Sequence, residues 1–139
     1  MPVTMRVKDV MDKRLVPVGY MATVDIAAKK MVQNNVWSLL VERKGAPWGV
    51  VTERDILRRC LAEGLSTTKT SVGSIASSPL ITIGPDATMK EAMDLMATKE
   101  IRRLFVVEKG KIVGRITQTE VFQSTLDVME TLSSLSNAL

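Results

Sequence analysis

The apolar positions of this chain come as short runs and helical stripes, and the same order of runs and stripes appears twice. Val24, Ala27, Ala28 and Met31 recur at helical spacing, which predicts a helix from a cap at Thr23 to about Gln33, stopped at Asn34-Asn35. Val36–Glu42 reads as a strand, Lys44–Pro47 as a turn and Trp48–Val51 as the returning strand of a hairpin. Thr52 then caps a further helix, Glu53 to about Glu63, which Gly64 ends. Upstream, Val7–Met11 predicts one helical turn entering the first unit. Leu15–Val18 predicts an extended piece that Pro17 keeps at an edge or strand end.

Beyond a polar linker, Ser66–Ser71, the order repeats at an offset of 65 residues, Thr117 minus Thr52. Val72–Ala76 matches Val7–Met11, Leu80–Ile83 matches Leu15–Val18, and Gly84–Thr88 matches Gly19–Thr23. Thr88 and Glu91 have capping-box spacing, and the helix Met89–Lys99 sets Ala92, Met93 and Met96 on one face. Ile101–Val107, a turn at Lys109–Lys111 and Ile112–Ile116 form the second hairpin. The match runs ungapped from Val7/Val72 to Leu57/Phe122 and aligns Gly19/Gly84, Gly45/Gly110 and Gly49/Gly114. The expected fold is α+β: two β-α-β-β-α repeats related by a pseudo-twofold, each covering the other's open sheet face. Their bounds are 7–64 and 72–125, with linker 65–71 between them and an extended C-terminal helix over 126–139. On that helix Phe122, Leu126, Met129, Leu132 and Leu135 form one apolar stripe, to pack on the chain's own core or to meet a second copy.

Composition narrows the function. The 139 residues suffice for one shared core. Aromatics make up only 4%, so aliphatic residues and nine Met fill it. There is no His, which removes the commonest general base and metal ligand, and the single Cys60 excludes an internal disulfide and a zinc site. Cys60 reads as a small buried hydrophobe. A net charge of +4 tilts mildly toward anionic partners, and Lys29-Lys30 and Arg58-Arg59 read as solvated helix faces. The sequence has no membrane-length apolar run and no hydrophobic leader, so a cytoplasmic protein is expected. It also lacks a phosphate loop, a Cys–base arrangement and a carboxylate cluster, which argues against an enzyme.

The two strand-to-helix junctions hold the candidate chemistry. Gly49 leaves room for a ligand at the backbone, Thr52 opens a helix whose amides favour an anion, and Asp55 lies one turn in. Gly114, Thr117 and Glu120 are the counterparts. Thr-x-x-Asp and Thr-x-x-Glu are equally capping boxes, so both pairs could serve only their own helix ends.

The duplicated β-α-β-β-α order with Gly49-x-x-Thr52-x-x-Asp55, and the strand Ile101–Val107, resemble the CBS domain. Phe105 stands where that family's strand often has Pro. Two copies resemble a CBS pair, or Bateman module, over nearly the whole chain, Val7 to about Gln123, with no flanking catalytic or DNA-binding domain expected. The resemblance implies an adenine nucleotide, AMP, ADP or ATP, or else S-adenosylmethionine, in a cleft between repeats, and no catalytic cofactor. It gives Thr52 the phosphate, Asp55 the ribose, Arg102 and Arg103 the phosphates from the other repeat, and Val16, Pro17 and Val18 the adenine. A weaker second cleft would hold Ile81, Ile83, Gly114, Thr117 and Glu120, because Trp37 and Ser38 replace the two arginines there. Packing is the alternative for Val16–Val18, and also for Trp37, read as a half-buried strand residue. The implied function is regulatory energy sensing, passed to an unidentified protein partner by a homodimer. Nucleic-acid binding, or a purely structural dimer with vestigial clefts, is the competing reading.

Overall fold

The computed structural model describes residues 5–138, with side chains through residue 136. Two compact units divide the chain: one spans Leu15–Leu80, and the other joins the segment ending at Arg14 to the residues from Ile81 onward.

In the Leu15–Leu80 unit, β1 (Pro17–Gly19) runs parallel to β2 (Ser38–Arg43), and β3 (Ala46–Thr52) returns antiparallel to β2. Lys44 and Gly45 both have positive φ, 53° and 76°. This two-residue turn matches the right-handed twist of a hairpin, so β3 starts at Ala46 rather than after Pro47. The helix α2 (Val24–Asn34) buries Val24, Ala27 and Met31 against this sheet, and left-handed Asn35 ends it. Its first amides are not capped by the Thr23 hydroxyl, which bonds to Asp25. Linker carbonyls cap them instead: Val24 N–H donates to Thr70 (3.0 Å) and Asp25 N–H to Thr67 (3.0 Å). The helix predicted after Thr52 is one turn of α3 (Glu53–Asp55) continued as a π-helical segment, Ile56–Leu61, that buries Ile56 and Cys60.

The short helix α4 (Val72–Ile75) completes this unit. Gly73 lies so close to Tyr20 that a Cβ there would sit 2.3 Å from the ring. Two residues past the end of α4, Ser77 exchanges both backbone hydrogen bonds with Val50 at 2.9 Å and extends the sheet beyond β3.

The other unit repeats the plan with β4 (Thr82–Ile83), α5 (Met89–Lys99), β5 (Arg103–Glu108) and β6 (Lys111–Thr117). Its sheet order and Lys109–Gly110 turn match, with φ of 51° and 76°. Here α1 (Val7–Val10) takes the place of α4: Val7 is fully buried among Ala92, Met96, Leu104, Val106 and Ile116. Asp12 pairs with Arg115 as Ser77 pairs with Val50. The turn at Val7, predicted to enter the first unit, therefore packs in the unit built from the second repeat.

Lastly, α6 (Gln118–Ala138) is one continuous helix that crosses residue 125 without a break. Val121 and Ser124 are its buried contacts; Phe122, Met129, Leu132 and Leu135 are each about 60% exposed or more. With Leu126 at 37%, the stripe stands mostly clear of the core of its own unit. Met93, grouped with Ala92 and Met96 on one face of α5, is exposed while those two are buried.

Candidate functional site

At the end of β3 the chain leaves the sheet at Thr52 and turns into α3. Asp55 Oδ2 accepts from the Thr52 amide (2.9 Å) and hydroxyl (3.1 Å), while the Asp55 amide donates to Thr52 Oγ1 (3.1 Å). This is a complete capping box. The Glu53 amide donates to the Trp37 carbonyl (3.1 Å). The amides expected to greet an anion at Thr52, Glu53 and Asp55 thus have protein acceptors, and the Thr52 hydroxyl proton is committed to Asp55. What stays outside the box is Asp55 Oδ1, which faces Arg59 Nε at 3.8 Å on a side chain 15% exposed. Arg59 also donates to the Ile75 carbonyl (3.1 Å), so this guanidinium is anchored at one end although its side chain is 54% exposed.

The surroundings of this box are mixed. Val16 is half-buried and Pro17 exposed, with its carbonyl accepting from Lys30 Nζ (2.7 Å), while Val18 is 2% exposed within the core. Val18 therefore cannot face a ligand; alternation along β1 turns it inward. Gly49 does not make room for a ligand either. A Cβ there would lie 2.2 Å from the Ser77 carbonyl oxygen, so the glycine is what lets the Ser77 backbone close on β3. Trp37 lies outside β2 and is 64% exposed, whereas its neighbour Ser38 is buried.

The second junction builds a related cap from a longer acid, with the hydroxyl reached by a different amide. Glu120 Oε2 accepts from the Thr117 amide (2.8 Å) and hydroxyl, and the Thr119 amide donates to Thr117 Oγ1 (3.2 Å). The Gln118 amide donates to the Arg102 carbonyl (3.0 Å), as Glu53 does to Trp37. Arg102 is exposed and precedes β5; Arg103 begins β5 and is half-buried. Ile81 and Ile83 are half-buried against the core of this unit, and Gly114 accommodates Met11 and Asp12.

Charge gathers at this second junction in a way the repeat pattern had not suggested. Asp12, 17% exposed, accepts from Arg14 (3.1 Å) and from Arg115 (3.3 Å), whose side chain is 11% exposed. Burial opposes ionisation of Asp12, but hydrogen bonds from Arg14 and Arg115 outweigh it and hold its carboxyl below the ordinary value. The Arg14 guanidinium is raised, chiefly by its hydrogen bond to Asp12 and in smaller part by Glu120. At the first junction the equivalent positions hold Ser77, Pro79 and Val50. The sequence signal was there in Arg115 aligned with an apolar strand residue, but only the backbone pairing of Asp12 with Arg115 gives it meaning.

A family model for the CBS domain matches residues 7–62 and 72–127. The chain belongs to the CBS domain family. Tandem CBS domains are a regulatory module. The CBS domain-containing protein YhcV of Bacillus subtilis is 31% identical over 131 residues, 94% of this chain and 93% of its own length. An uncharacterized conserved protein from Pyrococcus horikoshii has a similar structure, with a TM-score of 0.83 and 30% identity over 90% of this chain and 95% of that one. A CBS domain protein from Pyrobaculum aerophilum, solved in complex with AMP, is similar at a TM-score of 0.75 and 28% identity, covering 84% of this chain and 89% of that one. The two CBS matches follow the sequence repeats. Among the described residues no helix is long and apolar enough to cross a membrane, and no three His, Cys, Asp or Glu side chains cluster as metal ligands.

Proposed function

We propose that this CBS pair is a regulatory module that binds an adenine nucleotide at Asp55 and acts as a homodimer on a protein partner. The observation that carries the reading is the division of labour on Asp55. One carboxylate oxygen completes the helix cap, while the other lies outside the box, facing Arg59 Nε at 3.8 Å on a side chain 15% exposed. A carboxylate oxygen in that position can accept hydrogen bonds from ribose hydroxyls, and the AMP complex of a similar protein supports the ligand class. A structural or nucleic-acid role stands against this reading, and neither predicts a response selective for adenine. The homodimer is supported by the α6 stripe, more apolar surface than a soluble monomer normally leaves in water.

The test is thermal unfolding with AMP, ADP, ATP, S-adenosylmethionine and a guanosine control. At about 100 times its dissociation constant a ligand stabilises by roughly 2.7 kcal/mol, a midpoint rise of several degrees. The informative variant is Asp55→Glu rather than Asp55→Ala. Glu120 shows that a glutamate carboxylate can accept from the cap amide and hydroxyl, so Asp55→Glu keeps that half of the cap while moving the outer oxygen. Retained stability with loss of the adenine-selective shift supports the ribose role. A shift that survives Asp55→Glu removes Asp55 from the site, and no shift with any nucleotide, in protein freed of bound nucleotide, overturns the sensor reading.

A further inference from the structure

In the Leu15–Leu80 unit, Arg59 reaches from the π-helical segment to the last turn of α4, where it donates to the Ile75 carbonyl at 3.1 Å, and Ile75 is only 2% exposed. In the other unit the position 65 residues on is Ser124. Its hydroxyl donates to the Val121 carbonyl of its own helix (2.8 Å). Nothing at this position then spans to α1, and Val10, the counterpart of Ile75, is left half-buried. A groove of about 380 Å³ opens between α1 and α6. Val10, Val128 and Leu132 contribute its apolar lining, and Asp9 and Asp127 are its acids. The counterparts of those two acids in the first unit are Ser74 and Ala62. The second unit has thus lost an arginine from this place and gained two carboxylates around it.

The charge of the groove is not cancelled within its own unit. Asp9 accepts from the Arg6 amide (2.8 Å) and Asp127 from the Gln123 side-chain amide (3.1 Å). Among the described residues neither carboxylate is in an ion pair. The bases nearest in sequence are engaged elsewhere: the Arg6 guanidinium donates to the Asp86 carbonyl (3.0 Å), and Lys8 pairs with the Asp86 carboxylate (2.9 Å). From Gln118 to Ala138, α6 carries Glu120, Asp127 and Glu130 and no Lys or Arg. The apolar side of the groove also runs on. Val128, Leu132 and Leu135 stand at i, i+4 and i+7, one helical face, 45%, 60% and 59% exposed. All three lie past residue 127, where the CBS match ends.

We propose that the α1/α6 groove docks an amphipathic helix of the regulated protein, one that carries Arg or Lys beside its apolar face. This rests on the reading of the chain as a regulator of a protein partner and goes beyond it by naming the surface and the chemistry that fits it. Apolar residues of the incoming helix pack on Val10, Val128 and Leu132 and continue along Leu135, the spacing that helix-in-groove recognition uses. Its basic residue takes the part that Arg59 plays in the first unit, at the end of α1 and beside Asp9 and Asp127. An acidic helix meets like charge there, which disfavours it once water is excluded. The same argument disfavours α6 of a second copy, whose only charged side chains are acids.

The experiment is fluorescence anisotropy on the full chain with a labelled synthetic helix of about 18 residues, leucines on one face and arginines flanking them. Its controls are the same peptide with Glu for Arg and a scrambled peptide of the same composition. The chain is expected to bind the arginine peptide and neither control. Asp127→Lys, at an exposed position, should weaken that binding about tenfold or more. Ser124→Arg, which restores the arrangement of the first unit, should abolish it with the thermal midpoint retained. Absence of binding to the arginine peptide, equal binding of a control, or binding indifferent to Asp127→Lys overturns the proposal. So does a loss of dimer mass in light scattering on Asp127→Lys, which assigns the groove to a second copy. Any of these results with the adenine-selective midpoint rise intact leaves the regulatory reading standing; loss of that rise as well removes the reading beneath this one.

Discussion

The junctions at Thr52 and Thr117 both bind the threonine amide and hydroxyl with a carboxylate three residues on, of different length, and differ most in their surroundings. Around Asp55 the neighbouring segment contributes Ser77 and the strand contributes Val50; around Glu120 the equivalents are Asp12 and Arg115, joined by Arg14. Such a cap is therefore no mark of ligand binding by itself, because either acid builds it. Each acid uses a single oxygen in its cap, so distinguishing the two sites depends on the charges around them and on which of those already satisfy each other. At the second junction a protein-held ion group occupies the position where the first has an apolar strand residue.

Substitutions can break this comparison in order of size. The largest effect is expected from Gly49→Ala, whose Cβ would meet the Ser77 carbonyl oxygen at 2.2 Å, a main-chain atom that cannot step aside. A loss of about 3 kcal/mol in urea unfolding is expected, against about 1 kcal/mol for Gly114→Ala, where the nearest atom is the flexible Met11 sulfur at 2.8 Å. Equal costs would mean that the two closures are equally tight. Next, Asp12→Ala removes the acceptor shared by Arg14 and Arg115 and should cost about 1–2 kcal/mol, whereas Ser77→Ala, which pairs through its backbone, should stay within about 0.5 kcal/mol.

Thr52→Ala and Thr117→Ala should each cost about 1 kcal/mol, the ordinary worth of a cap. A clear inequality between them would show that the shared geometry hides unequal strength.

The smallest effect is on acid stability. The folded carboxyl of Asp12 lies below its ordinary value of 3.8. Its contribution is thus complete above that value and is lost as pH falls through the folded value. Asp12→Asn should flatten this part of the acid limb in a stability-versus-pH curve, and an unchanged limb would show that Asp12 is not its source.

Much of this protein was legible in its sequence because it is local or repeated. Helix spans followed from the spacing of Val24, Ala27 and Met31; both hairpins from their Lys-Gly turns; the α+β duplication from an ungapped register; and the family from Gly49-x-x-Thr52-x-x-Asp55. Each depends on neighbours within a turn or two of chain, where period and φ preference act. The exposure of Trp37 and of the α6 stripe, and the burial of Val18, were less legible, because burial is decided by what packs opposite.

Tertiary structure alone decided the exchanges. That α1 joins the unit of the second repeat and α4 the unit of the first, that Ser77 and Asp12 lengthen each other's equivalent sheet, and that linker carbonyls rather than Thr23 cap α2 all depend on contacts across tens of residues. The sequence determined two copies of one unit and the positions where they differ in charge. Only the fold decided that Gly49 accommodates a peptide carbonyl and that Asp12, Arg14 and Arg115 form one charged group, since both are meetings of segments with no periodic relation in the chain.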